Sequence, residues 1–133
     1  MKALKARIIK SLNLGATVDV ADNSGAKKAR IIAVKKGKSR KGRQIACGVG
    51  ALVKVSVKEG NKDVRKQVFW AVVVRQKKPY RRLTGERICF ESNAVVLLKD
   101  TAGNPKGTQT KGPVAREVTD RWPFIAKIAG VIV

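Results

Sequence analysis

Gly50–Lys58 reads G-A-L-V-K-V-S-V-K. Within it Val53, Val55 and Val57 point to one side of an extended chain, and Lys54, Ser56 and Lys58 to the other. A period of two with one apolar face is the mark of a strand that is wet on one side and packed on the other. Reading outward toward the N-terminus, Thr17–Ala21 (T-V-D-V-A) alternates in the same way, the turn cluster Asp22-Asn23-Ser24-Gly25 follows, and Ala26–Lys36 (A-K-K-A-R-I-I-A-V-K-K) forms the second arm of a hairpin. Toward the C-terminus, Gly60-Asn61 opens a turn. Val64–Arg75 then ends in Phe69-Trp70-Ala71-Val72-Val73-Val74, apolar on both parities. Such a run predicts a strand covered on both faces or closed into a barrel. Arg87–Phe90 and Ala94–Lys99 are two further short strands. Many short strands divided by turn signals predict a mainly β fold, a small antiparallel barrel.

From Asp100 the texture changes. Gly103, Pro105, Gly107, Gly112 and Pro113 mark a long polar connection. The residues after it predict helical tail pieces. One spans Val114–Thr119 with Pro113 at its first position, and another lies near 121–129, capped by Asp120 and ended by Gly130. The chain of 133 residues reads as one domain, with 1–16 as an N-terminal extension and 113–133 as a helical tail.

Charge decides the partner class. Thirty Lys and Arg residues oppose nine acids, a formal net charge of +21. No acid occurs between Asp22 and Glu59, a gap that holds eleven basic residues. A small fold with that field is at ease beside a polyanion, and nucleic acid is the first candidate. Two loops concentrate the charge. Lys35–Arg43 places Lys35, Lys36, Lys38, Arg40, Lys41 and Arg43 on a segment whose Gly37–Arg43 part has no apolar residue to pack. Lys77, Lys78, Arg81 and Arg82 flank Tyr80, whose ring either stacks on a base or packs under the loop. Trp70 reads as core, and Trp122 as an anchor against the barrel or a partner.

Several functions are disfavoured by what is missing. The chain has no His, which removes the commonest neutral-pH base and zinc ligand. Cys47 and Cys89 have no metal-ligand spacing and read as buried or half-buried thiols in a reducing cytoplasm. Gly37-Lys38-Ser39 resembles the end of a phosphate-binding loop, but Ile32 stands where that motif needs glycine. The nine acids form no doublet and no calcium-loop order. These features predict no catalysis, no cofactor and no metal. No apolar run approaches the ~20 residues of a membrane span. Lys2, Lys5 and Arg7 are not followed by the apolar region of a signal peptide.

Three segments together carry a resemblance. The first is Asp22-Asn23-Ser24-Gly25-Ala26-Lys27-Lys28. The second is Ala71-Val72-Val73-Val74-Arg75, leading to Gly85, Phe90, Asn93 and Val96-Leu97. The third is Gly107-Thr108, then Gly112-Pro113-Val114-Ala115-Arg116-Glu117. In this order they resemble the universal large-subunit ribosomal protein family numbered fourteen, in its archaeal and eukaryotic branch. The resemblance implies a closed five-stranded antiparallel β-barrel with an added β-ribbon and short C-terminal helices. It implies direct binding to large-subunit ribosomal RNA (23S-type) and a bridge to small-subunit ribosomal RNA. It also implies four features of the setting: ribosomal protein three and a small zinc-ribbon-type ribosomal protein as neighbours, docking of the anti-association initiation factor six, and a cytoplasmic location in ribosomes. Lys27, Lys28 and the Lys35–Arg43 loop match the family's basic ribbon. The segment with Lys106, Thr108, Gln109 and Lys111, together with Arg116, matches the region that faces the other subunit. Some members carry a basic residue after the Gly-Thr pair, where this chain has Gln109.

Overall fold

The computed structural model describes residues 2–39 and 41–133. In chain order its elements are β1 (Leu12–Asn13), β2 (Thr17–Val20), β3 (Ala26–Val34), β4 (Ala46–Cys47), β5 (Leu52–Gly60), β6 (Val68–Arg75), β7 (Tyr80–Arg81), β8 (Arg87–Ile88), β9 (Ala94–Leu98), β10 (Pro113–Val114), α1 (Arg116–Arg121), α2 (Pro123–Ile128) and β11 (Val131–Ile132). Strands β2-β3-β5-β6-β9 close into a five-stranded barrel. The hairpin predicted around Asp22–Gly25 is present, with Val18 opposite Ala29. Four of the five pairings are antiparallel, and β2 meets β9 in parallel. The antiparallel expectation therefore needs one correction, and its cause is arithmetic. Strands that alternate in direction round a ring of odd number must close with two that run the same way.

The valine pattern does its predicted work. Val53, Val55 and Val57 are buried, while Lys54 and Lys58 are exposed. They fill the barrel with Ile31, Ala71, Val73 and Leu97. The opposite face of β6 and β9 is also covered. Val72, Val74, Val96 and Leu98 pack under Val114, Val118, Trp122 and Ile125 of the C-terminal segment. That second layer is why Ala71–Val74 and Ala94–Leu98 are apolar at every position. Trp70, expected in the core, is less enclosed. Phe69, Trp70 and Phe90 are half-buried, with the Lys106 ammonium 5.0 Å from the Phe69 ring centre and that of Lys54 5.6 Å from Trp70. Cys47 is buried, and burial pushes its thiol up to about 11. Cys89 is exposed, contrary to the sequence expectation.

The tail departs from its predicted outline. Pro113 starts a short strand, β10, that pairs in parallel with β11 instead of opening a helix. Asp120 lies inside α1, and Trp122 joins the two helices with Pro123 at the first position of the second. Trp122 is the anchor, turned toward the barrel. Its indole N–H donates to the Gly50 carbonyl at 3.1 Å and its ring is buried. Gly103 makes that fit possible, since a Cβ there would lie 2.7 Å from the ring and its φ of 108° disfavours other residues.

Candidate nucleic-acid interface

The first basic loop leaves the barrel at the end of β3. Lys35, Lys36, Lys38, Lys41 and Arg43 are all exposed, and Arg40 lies outside the described residues. Lys36 and Lys41 take left-handed backbone conformations, with φ of 58° and 53°. Such geometry costs a non-glycine residue about 1–2 kcal/mol and recurs at binding sites. The loop is pinned locally, with the Ser39 hydroxyl donating to the Arg43 carbonyl at 2.7 Å. Lys27 and Lys28 stand exposed at the start of β3, and Lys28 faces Glu59 at 3.9 Å. An exposed pair at that distance contributes little, so both lysines stay available to an anion.

The second basic loop divides into two environments. Lys77, Lys78 and Arg81 are exposed. Tyr80 and Arg82 have partners within the protein, and of the two positions open to the Tyr80 ring it takes the one under the loop. Tyr80 is buried and its hydroxyl donates to Glu117 at 2.8 Å. Arg82 grips the same carboxylate at 2.6 and 3.2 Å and donates to the Val133 carbonyl at 2.6 Å. One glutamate thus gathers the loop, α1 and the end of the chain. No local pattern signals this, because Glu117 lies 35 residues from Arg82.

Burial works to raise the pKa of Glu117, but the hydrogen bonds from Arg82, from its own backbone amide and from Tyr80, with the Arg82 charge, outweigh it and hold the carboxylate below its ordinary 4.5. The sign of the pH effect follows. A depressed carboxylate contributes stability that is present above its unfolded value and is lost as pH falls through the folded one. The cluster should therefore loosen below about 4.5. Glu117→Gln should cost about 2–4 kcal/mol at neutral pH, since it leaves the Arg82 guanidinium half-buried without its counter-charge. Urea unfolding at pH 7 and pH 4 checks both, and the loss should be smaller at the lower pH.

The Asp22–Gly25 turn acts inward. Asp22 is buried. Its Oδ2 accepts the Leu97 N–H at 2.8 Å, and its Oδ1 accepts the Ser24 amide and hydroxyl. Strand β2 ends at Val20, so this carboxylate continues the β2–β9 ladder one step further. Asn23 clamps the neighbouring loop. Its Oδ1 accepts the Thr108 and Gln109 amides at 2.8 and 3.3 Å, and its Nδ2 donates to the Thr108 hydroxyl at 2.8 Å. Gly107 has no room for a side chain, because a Cβ would sit 2.7 Å from Asn23 Oδ1. Thr108, Gln109 and Lys111 are exposed on this clamped loop. Arg116 is exposed at the start of α1, while Lys106 is half-buried over Phe69. Asp22→Ala should cost about 1–3 kcal/mol by leaving the buried Leu97 amide unpaired. Asn23→Ala should speed hydrogen exchange at Thr108, whose amide it releases, and exchange no faster than wild type would argue against the clamp.

Two cationic residues that the sequence reading passed over join the first loop. Lys10 and Arg121 line the cleft beside Lys35 and Lys36. Gln76 explains how the N-terminal segment arrives there. This fully buried amide donates to the Ile9 and Lys78 carbonyls at 3.2 and 2.9 Å and accepts the Val49 N–H at 3.1 Å. The segment is therefore laid between the two basic loops. Nothing in the local sequence around Lys10 signals that contact. Among the described residues, no three His, Cys, Asp or Glu side chains gather to hold a metal. No described helix is long and apolar enough to cross a membrane.

Residues 11–133 match the family model described as ribosomal protein L14p/L23e. Three curated relatives are each called large ribosomal subunit protein uL14. The one from Nanoarchaeum equitans is 55% identical over 133 residues, with both chains fully covered. That from Methanothrix thermoacetophila is 49% identical, also over the whole of both chains. That from Methanococcus maripaludis is 47% identical over 132 residues, 99% of each chain.

Proposed function

The chain belongs to the ribosomal protein L14p/L23e family and is a structural constituent of the large ribosomal subunit, and we propose that it works there as an electrostatic clamp on ribosomal RNA. Lys27, Lys28, the Lys35–Arg43 loop, Lys77, Lys78 and Arg81 meet phosphates of large-subunit ribosomal RNA. The barrel is the rigid spacer between them, and residues 1–133 act as one unit. Recognition follows the shape and backbone of folded RNA more than base identity, since exposed Lys and Arg carry the contacts and no exposed row of aromatic residues offers stacking. The observation that carries this reading is the unbalanced charge, held on exposed side chains at the margins of the barrel. The family is structural rather than enzymatic.

The finer setting follows the same reading. Thr108, Gln109, Lys111 and Arg116, with Lys106 beside them, face the small subunit and bridge to its RNA. Neutral Gln109 leaves the charge at that face to its lysine neighbours. Ribosomal protein three, a small zinc-ribbon-type ribosomal protein and the anti-association initiation factor six are the protein partners. Crosslinking within intact ribosomes tests all of this at once. Crosslinks from the 35–43 loop to large-subunit RNA and from 106–116 to small-subunit RNA are expected. Absence of the chain from large subunits washed in high salt would overturn the reading.

A further inference from the structure

Two adjoining clefts lie beside the N-terminal segment. The first, about 270 Å³, has Leu4 and Ile8 in its wall and carries Lys10, Lys35, Lys36 and Arg121. The second, about 280 Å³, shares Lys10 and Lys36 with the first and adds Lys38 and Arg43. Six basic side chains line the pair, and no Asp or Glu does. Arg121 is the member that calls for an explanation. Its Nε–H is closed off from water and meets no acceptor among the described residues. Burial lowers its basicity with no carboxylate to counter the effect. An unpaired buried donor is costly, and more so when it is charged. The other half-buried arginines of this fold are answered from within: Arg82 by Glu117, and Arg75 by Ser92 and the Lys111 and Pro113 carbonyls.

We propose that the joined clefts form a groove for a short run of ribose-phosphate backbone, with one phosphate seated on Arg121 and the next ones on Lys10, Lys36 and Arg43. The shape favours a chain over a lone anion. The cations are spread along two connected clefts instead of converging on one point, and the apolar wall of Leu4 and Ile8 suits the face of a sugar or base. A phosphate at the terminal nitrogens of Arg121 supplies the counter-charge that the fold does not, and a guanidinium–phosphate pair is among the stronger charge-assisted hydrogen bonds. Binding also ties the N-terminal segment to the barrel from outside, as Gln76 does from within. The phosphate chemistry stands on the groove itself. That the strand is ribosomal RNA rests on the function proposed above.

The Nε–H signal of Arg121 reports on the site directly. With full-length protein labelled with nitrogen-15, a six-residue oligouridylate should shift that signal saturably, at a concentration at least tenfold below that needed for inorganic phosphate. Chloride at equal ionic strength should leave it in place. Arg121→Met should bind the oligomer about tenfold more weakly. Should that variant fail to fold, the surface double variant Lys10→Ala/Lys36→Ala carries the affinity measurement with the same expectation. A signal unmoved at saturating oligomer, or variants that bind it as tightly as wild type, would overturn the groove. Phosphate binding as tightly as the oligomer would reduce it to an isolated anion site and also overturn the proposal. None of these outcomes touches the chain's place in the large subunit, which the crosslinking experiment tests separately.

Discussion

Val55→Asp should leave no cooperatively folded protein. Val55 has no solvent exposure, and its neighbours across the sheet are Ile31 on β3 and Phe69 on β6. The closed barrel gives a carboxylate there no route to water and no cation to meet. An unpaired ion in such a place costs several kcal/mol, against a total stability of about 5–15 kcal/mol for a typical domain. Removing the valine adds the loss of its packing. The companion variant Lys58→Asp, three residues on and exposed, should change stability by no more than about 0.5 kcal/mol. Circular dichroism and thermal melts of the two proteins check the contrast. A cooperative melt from the first variant would mean that the interior of the barrel is not where the valines point.

Replacing Lys38, Arg40, Lys41 and Arg43 with alanine should have its effect on binding and leave folding alone. If the wild-type chain neutralises ~6–10 phosphates, its affinity for large-subunit RNA fragments falls by ~10³–10⁵ between 50 and 200 mM salt. The four-fold variant should flatten the logarithmic salt slope by up to about four units. Its thermal stability should match wild type, because Lys38, Lys41 and Arg43 are exposed and hold no core contact. Filter binding across a salt series gives the slope. A slope equal to wild type would remove this loop from the list of phosphate contacts.

Much of the architecture could be read from the chain because the determining signals are local. Alternation at Val53–Val57, the Asp22–Gly25 turn and the doubly apolar Ala71–Val74 run each report on their own surroundings. The basic loops were legible for the same reason, since a segment with charge and no apolar residue has nowhere to go but the surface. Residues whose role depends on a distant partner were left open or missed. Tyr80 sits among basic residues in sequence, yet Glu117, 37 residues away, draws it into the interior. Lys10 and Arg121 look unremarkable along the chain and meet only because the N-terminal segment and α1 flank one cleft.

By itself the sequence determined that this is a β protein with a wet, cationic exterior, because period, turn chemistry and charge are properties of neighbours along the chain. The tertiary structure alone decided which cations are free and which are spoken for. Whether a side chain meets a phosphate or a carboxylate of its own protein depends on what closure of an odd-stranded barrel brings beside it, and that distance is set in space.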